Sequence, residues 1–139
     1  KTLNDDQMTN VALIGVGNLG SALLKYKFHQ SNSIRVSAAF DVNPEIVGRI
    51  VDGIPVYPMS DMKEQIGIQQ IDIAILTVPA EHSQDVVNDL VTSGIKGILN
   101  FTPARITAPV DVLVQNVDLT TELQTLIYFL HSGGIAPSE

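Results

Sequence analysis

Gly15-Val16-Gly17-Asn18-Leu19-Gly20 has the spacing G-x-G-x-x-G, directly after the apolar run Val11-Ala12-Leu13-Ile14 and before a stretch of helical periodicity. A strand before it and a helix after it turn a weak pattern into a specific one. The glycines have separate tasks. Gly15 permits a tight turn, Gly17 lets the backbone approach a pyrophosphate, and Gly20 lets the helix pack close to the strand. The helix N-terminus adds unpaired N–H groups and roughly half a unit of positive charge facing the phosphates. The competing account is an ordinary strand-to-helix turn with no ligand.

Asp41 closes the second apolar run about 20 residues further on, where an acidic side chain accepts hydrogen bonds from the adenosine ribose hydroxyls. A 2′-phosphate would meet this carboxylate, and Val42 and Asn43 supply no arginine to receive it, so the expected ligand is NAD(H) rather than NADP(H). Read plainly, Asp41 merely caps a helix. Two more segments end where open α/β sheets bind ligands, Leu76-Thr77-Val78-Pro79 and Asn100-Phe101-Thr102-Pro103. Thr77 and Asn100 are either ligand contacts or turn residues satisfying their own backbone. Val78 and Phe101 would form apolar walls.

Catalytic parts are harder to find. A hydride-transferring enzyme needs a proton donor or acceptor and a substrate pocket, commonly on a second domain, and this chain has one domain's length. His29 closes the first helix and His131 lies near the C-terminus, whereas His82 falls next to the expected cofactor with no visible partner. No spacing points to a metal site, a P-loop or a nucleophile elbow. The expectation is a binding domain without catalytic residues.

The elements needed to position these residues are legible from periodicity. Val11–Ile14 is a strand buried on both faces. Leu19, Ala22, Leu23 and Tyr26 then form one apolar helical stripe. Further strands are expected over Ile34–Phe40, Ile54–Tyr57, Ile71–Val78, Gly97–Asn100 and Val110–Val117. Helices are expected after the Asn43-Pro44-Glu45 cap, over Asp61–Ile66 and around Val86–Val91. This alternation predicts a Rossmann-type doubly wound parallel sheet in the order 3-2-1-4-5-6. The last helix, 118–130, carries Leu119, Leu123, Leu126, Ile127, Tyr128, Phe129 and Leu130 around most of its surface. Its own sheet covers one face and the rest frays, or a partner subunit covers it. The domain is expected over 10–132, with tails at 1–9 and 133–139.

Of the 139 residues, 45% are apolar and 17% charged, ordinary for a globular domain. Cysteine is absent, so a redox response has to come from a bound cofactor rather than from thiols. No apolar run approaches the ~18 residues of a membrane span, and the N-terminal residues lack signal-peptide order, so a cytoplasmic protein is expected. With a net charge of −7 and scattered basic residues, this segment is not expected to grip nucleic acid by itself.

Over residues 10–130 the sequence resembles the Rex family of redox-sensing transcriptional repressors. The likeness lies in the glycine motif with Ala22-Leu23-Leu24 and Tyr26 behind it, Phe40-Asp41, Gly53-Ile54-Pro55-Val56 and Ala74-Ile75-Leu76-Thr77-Val78-Pro79. Two further segments are distinctive beyond a generic Rossmann domain, residues 94–101 and Val117-Asp118-Leu119-Thr120-Thr121-Glu122-Leu123. The resemblance implies a homodimer that exchanges its C-terminal helix, with NADH and NAD+ competing for one pocket and NADH releasing operator DNA. It also implies that Tyr26 lies near the nicotinamide, that Asp118 approaches from the partner, and that Leu119 inserts beside it. Asp118 reads equally as the N-cap of the last helix. A carboxylate near the ring can distinguish cationic from neutral nicotinamide. The family's N-terminal winged-helix domain is not in this chain. Competing readings are a fragment of an NAD-dependent oxidoreductase, a CoA-binding domain, and a purely structural module.

Overall fold

The computed structural model describes residues 8–25 and 33–132, apart from the side chains of 119–122. Its elements are β1 (Thr9–Ile14), α1 (Asn18–Lys25), β2 (Ile34–Asp41), β3 (Ile50–Val51), β4 (Ile54–Pro58), α2 (Met62–Gln69), β5 (Ile71–Leu76), α3 (Ala80–Thr92), β6 (Gly97–Asn100), β7 (Leu113–Asn116) and α4 (Leu119–His131). The strands form one sheet in the order β3-β4-β2-β1-β5-β6-β7. All neighbours pair in parallel except the short β3, which lies antiparallel to β4. Leaving out β3, the order is the expected 3-2-1-4-5-6, a Rossmann-type sheet.

Strand alternation divides the core into two layers. Ala12, Ile14, Ala38, Phe40, Ala74 and Leu76 point to one face, where α2 and α3 cover them with Met62, Ile66, Val86, Val87 and Leu90. Val11, Leu13, Val36, Ala39 and Ile75 point to the other, with Leu24 of α1. Central strands buried on both sides explain the unbroken apolar runs in the sequence.

Three expectations need correcting. The helix expected after Asn43 is a single turn. The Asn43 side-chain oxygen accepts the Glu45 N–H (3.0 Å) and its carbonyl accepts those of Ile46 (3.0 Å) and Val47 (3.1 Å). Gly48, at φ +90°, then swings the chain back, so the cap signal is real and the helix has no room to grow. The fourth parallel strand stops at Leu76 rather than Val78; the Thr77 N–H still bonds the Ile14 carbonyl of β1 (2.9 Å), and Pro79 just beyond has no N–H with which to extend the ladder. The last strand begins at Leu113 rather than Val110, since a turn donates the Val112 N–H to Pro109 (3.0 Å).

A loop, not a helix, joins β6 to β7. Gln84 of α3 secures it, donating from Nε2 to the Thr107 carbonyl (3.0 Å) while Oε1 accepts the Thr107 N–H (2.8 Å). None of the described side chains of α4 joins either core layer. Leu123, Leu126, Ile127, Tyr128 and Leu130 are 42–67% exposed. The sheet around β5, β6 and β7 carries an apolar cleft of about 590 Å³ that includes Ile73, Leu99 and Leu113. Among the described residues no helix is long and apolar enough to cross a membrane.

Candidate dinucleotide-binding site

The carboxyl ends of β1, β2 and β5 meet around the glycine loop. Gly15 adopts φ +99°, a conformation that L side chains rarely take. Its N–H bonds the Phe40 carbonyl (2.8 Å), and its carbonyl accepts the Thr77 hydroxyl (2.6 Å). The loop is therefore tied to both neighbouring strands. A Cβ on Gly20 would collide with the Gly15 carbonyl oxygen, so α1 approaches β1 as closely as only glycine permits. A Cβ on Gly17 would meet no protein atom within 4 Å, so packing inside the chain does not explain that glycine.

Asp41 ends β2 beneath this loop. Its Oδ2 accepts the Val16 N–H at 2.6 Å and its Oδ1 accepts the Asn43 N–H at 2.9 Å. These charge-assisted bonds hold the carboxylate in one orientation. Each oxygen retains a lone-pair site, so the group can still accept from a ribose diol.

A cleft of about 510 Å³ opens here, a size suited to a small-molecule ligand. Gly15, Val16, Gly17, Asp41, Val42, Thr77, Val78 and Pro79 line it. Asn43, Met59, His82 and Val86 line it too. Met59 follows directly on β4, so the rule that ligands gather at carboxyl ends of strands would have found it. Val86 is marked in the sequence only as part of a helix. Thr77 lies in the cleft, but its hydroxyl proton is committed to the Gly15 carbonyl, which makes it a brace of the loop.

Other candidates lie elsewhere. Asn18, Leu19 and Gly20 belong to α1 and not to the cleft wall. Asn100 and Phe101 are not in the cleft. The buried Asn100 donates from Nδ2 to the Ala104 carbonyl (3.1 Å) and Asn116 Oδ1 (3.0 Å), while its Oδ1 accepts from Thr102 N (3.0 Å) and Oγ1 (2.8 Å). An amide has four such bonds to make, and all four are made inside the chain. Asn100 thus organises the turn after β6, with every bond of its amide made inside the chain. Phe101 packs against the core layer of Leu13 and Ile75. Asp118 is exposed at a separate cleft of about 400 Å³, with Thr102, Arg105 and Asn116. Tyr26 and His29 fall outside the described residues, as does the side chain of Leu119. Among the described residues no group of histidine and acidic side chains could hold a metal ion.

The arrangement offers anion-binding N–H groups, a fixed carboxylate and apolar walls, which together suit an adenosine-containing dinucleotide. The fit rests on Gly17, left open towards the cleft, and on Asp41, fixed beside it.

Comparison with known proteins agrees with this geometry. Residues 6–104 match the family described as CoA binding domain. The redox-sensing transcriptional repressor Rex 1 of Enterococcus faecalis is 78% identical over 131 residues, covering 94% of this chain and 61% of that protein. The chain thus spans about three fifths of the length of such relatives. Among solved structures, the Rex-family repressor RSP in complex with β-NADH superposes with a TM-score of 0.86 at 34% identity, over 92% of this chain and 62% of RSP. RSP in complex with β-NAD+ and operator DNA gives 0.83 at 34% identity, over 92% and 59%.

Proposed function

The chain belongs to the CoA binding domain family and, within it, to the Rex redox-sensing repressors, and on that basis we propose that it is the NAD(H)-sensing domain of a transcriptional repressor. In this reading NADH and NAD+ compete for the cleft at Gly15, Gly17 and Asp41. NADH binding releases operator DNA through a rearrangement of a homodimer. DNA is contacted through a winged-helix domain outside this chain, in keeping with the acidic charge of −7. The sensor is not an enzyme, and it works in the cytoplasm. Its unit is 10–132, with 118–130 as the dimerising helix.

The observation that carries the ligand assignment is the Asp41 carboxylate, fixed by Val16 and Asn43 where a dinucleotide's ribose would lie. The description of the matched family favours CoA as a second reading. CoA carries a 3′-phosphate on its ribose and NADPH a 2′-phosphate, and either would face this carboxylate with no arginine at positions 42 and 43 to offset the repulsion.

The homodimer draws support from α4. Its five exposed apolar side chains are about half covered already, so each would gain about half of the 1.5–3 kcal/mol of complete burial, before the entropy of association is subtracted. A second copy's α4 laid on the β5–β6–β7 cleft with Ile73, Leu99 and Leu113 would cover both surfaces. The bound cofactor would supply a nicotinamide that is cationic when oxidised and neutral when reduced. Asp118, which lines a different cleft of its own chain, would meet that ring from the partner, with Leu119 and Tyr26 beside it.

The test is a competition titration with NADH, NAD+, NADPH and CoA, read by reduced-nicotinamide fluorescence. NADH should bind most tightly, with NADPH and CoA far behind. Preference for CoA, or parity of NADPH with NADH, would remove the Asp41 argument and the proposed function with it.

A further inference from the structure

We propose that His82 reads the purine base of the dinucleotide, acting as a specificity-determining residue at the base end of the cleft; the inference rests on the NAD(H) reading above. Beyond Asp41 the cleft is walled by Val42, Met59, Val78 and Val86, apolar surfaces suited to a flat ring. His82 stands on α3 one turn before Val86 and so shares its helix face. Its N–H is held by the Pro79 carbonyl (3.0 Å), which fixes this first turn against the loop after β5.

Four polar side chains line the cleft, and three are engaged. Asp41 holds two backbone N–H groups, Asn43 Oδ1 holds that of Glu45, and the Thr77 hydroxyl donates to Gly15. Among the described residues the His82 ring makes no hydrogen bond. Asn43 keeps an amide N–H₂ but lies beside Asp41, at the ribose. His82 is therefore the group at the base end with all of its hydrogen-bonding atoms uncommitted. The two nitrogens of an imidazole point apart, so one of them can meet the adenine edge, accepting from the N6 amino group or donating to N7. An unsubstituted purine keeps N7 but carries only hydrogen at C6, so a ring nitrogen that accepts from N6 loses its partner in either tautomer.

The experiment compares NADH with the reduced dinucleotide that carries unsubstituted purine in place of adenine, on the wild-type chain, on His82→Phe, which keeps a flat ring without nitrogens, and on His82→Ala. His82 is exposed, so neither change disturbs the core, and circular dichroism and melting curves verify the fold. The wild type should favour NADH by about 2–10-fold, the worth of one hydrogen bond. Both variants should bring the ratio close to one, with His82→Phe retaining more total affinity. A wild-type ratio of one, or a preference that survives in both variants, would overturn the assignment while leaving NAD(H) binding intact. If neither dinucleotide bound the wild type, the proposed function would fall first and this inference with it.

Discussion

Gly17 and Gly20 belong to the same motif but answer to different constraints. Gly20 is required by the chain itself, since a Cβ there strikes the Gly15 carbonyl, whereas the space beside Gly17 holds no protein atom. Gly20→Ala should therefore destabilise the fold by about 1–3 kcal/mol in urea unfolding, the usual cost of overpacking. Gly17→Ala should leave stability within about 0.5 kcal/mol. It should nevertheless weaken NADH binding by about tenfold or more, equivalent to 1.4 kcal/mol. Equal effects of the two changes on stability would contradict this division. The glycines and Asp41 were legible in the sequence because their spacing encodes backbone geometry directly. Asn100 was not. Its type and place at a strand end suit a ligand contact, but its hydrogen bonds are filled by Thr102, Ala104 and Asn116, and only folding reveals that the last of these lies opposite it.

At the scale of elements, the strand order followed from the alternation of apolar runs and helical stripes, because parallel strands buried on both faces leave few topologies open. Element lengths followed less well. The Asn43-Pro44-Glu45 signal starts a helix and Gly48 stops it within one turn, a competition between two local signals that periodicity cannot weigh. The loop after β6 replaces a helix and depends on Gln84, which gives the Thr107 amide the two bonds a neighbouring strand would have given. Gln84→Ala should cost about 1 kcal/mol and make the Thr107 amide exchange with deuterium roughly five- to tenfold faster, while β1 and β5 amides keep their protection. The apolar circumference of α4 was also readable, but what covers it was not. If a second copy does, Leu126→Asp should raise the dimer dissociation constant by about 30-fold or more in sedimentation experiments. The monomer should stay folded, because Leu126 is 62% exposed in the single chain. A dimer of unchanged strength would place the interface elsewhere.

For the whole molecule, the cleft that would hold the dinucleotide and the cleft that carries Asp118 are separate in one chain. On the proposed reading Asp118 acts on a bound nicotinamide from a second copy, which would make discrimination of redox state and dimer geometry one property. The sign follows from charge. A carboxylate attracts the cationic ring of NAD+, so Asp118→Asn should weaken NAD+ and leave NADH nearly unchanged. The NADH-to-NAD+ affinity ratio should rise by roughly 3–10-fold, more at low ionic strength than at high. Titration of both forms at two salt concentrations checks this, and a constant ratio would remove Asp118 from the sensing step.

The pairing of Gln84 with Thr107 has a mechanical side. Over its 13 residues α3 carries His82 and Val86 on the wall of one cleft, and between them in sequence it grips the loop whose earlier part, Thr102 to Ile106, borders the other. A helix of that length moves as a rod. Any tilt of its first turns would be shared with Thr107, so the wall of one cleft and the border of the other are joined through a single helix.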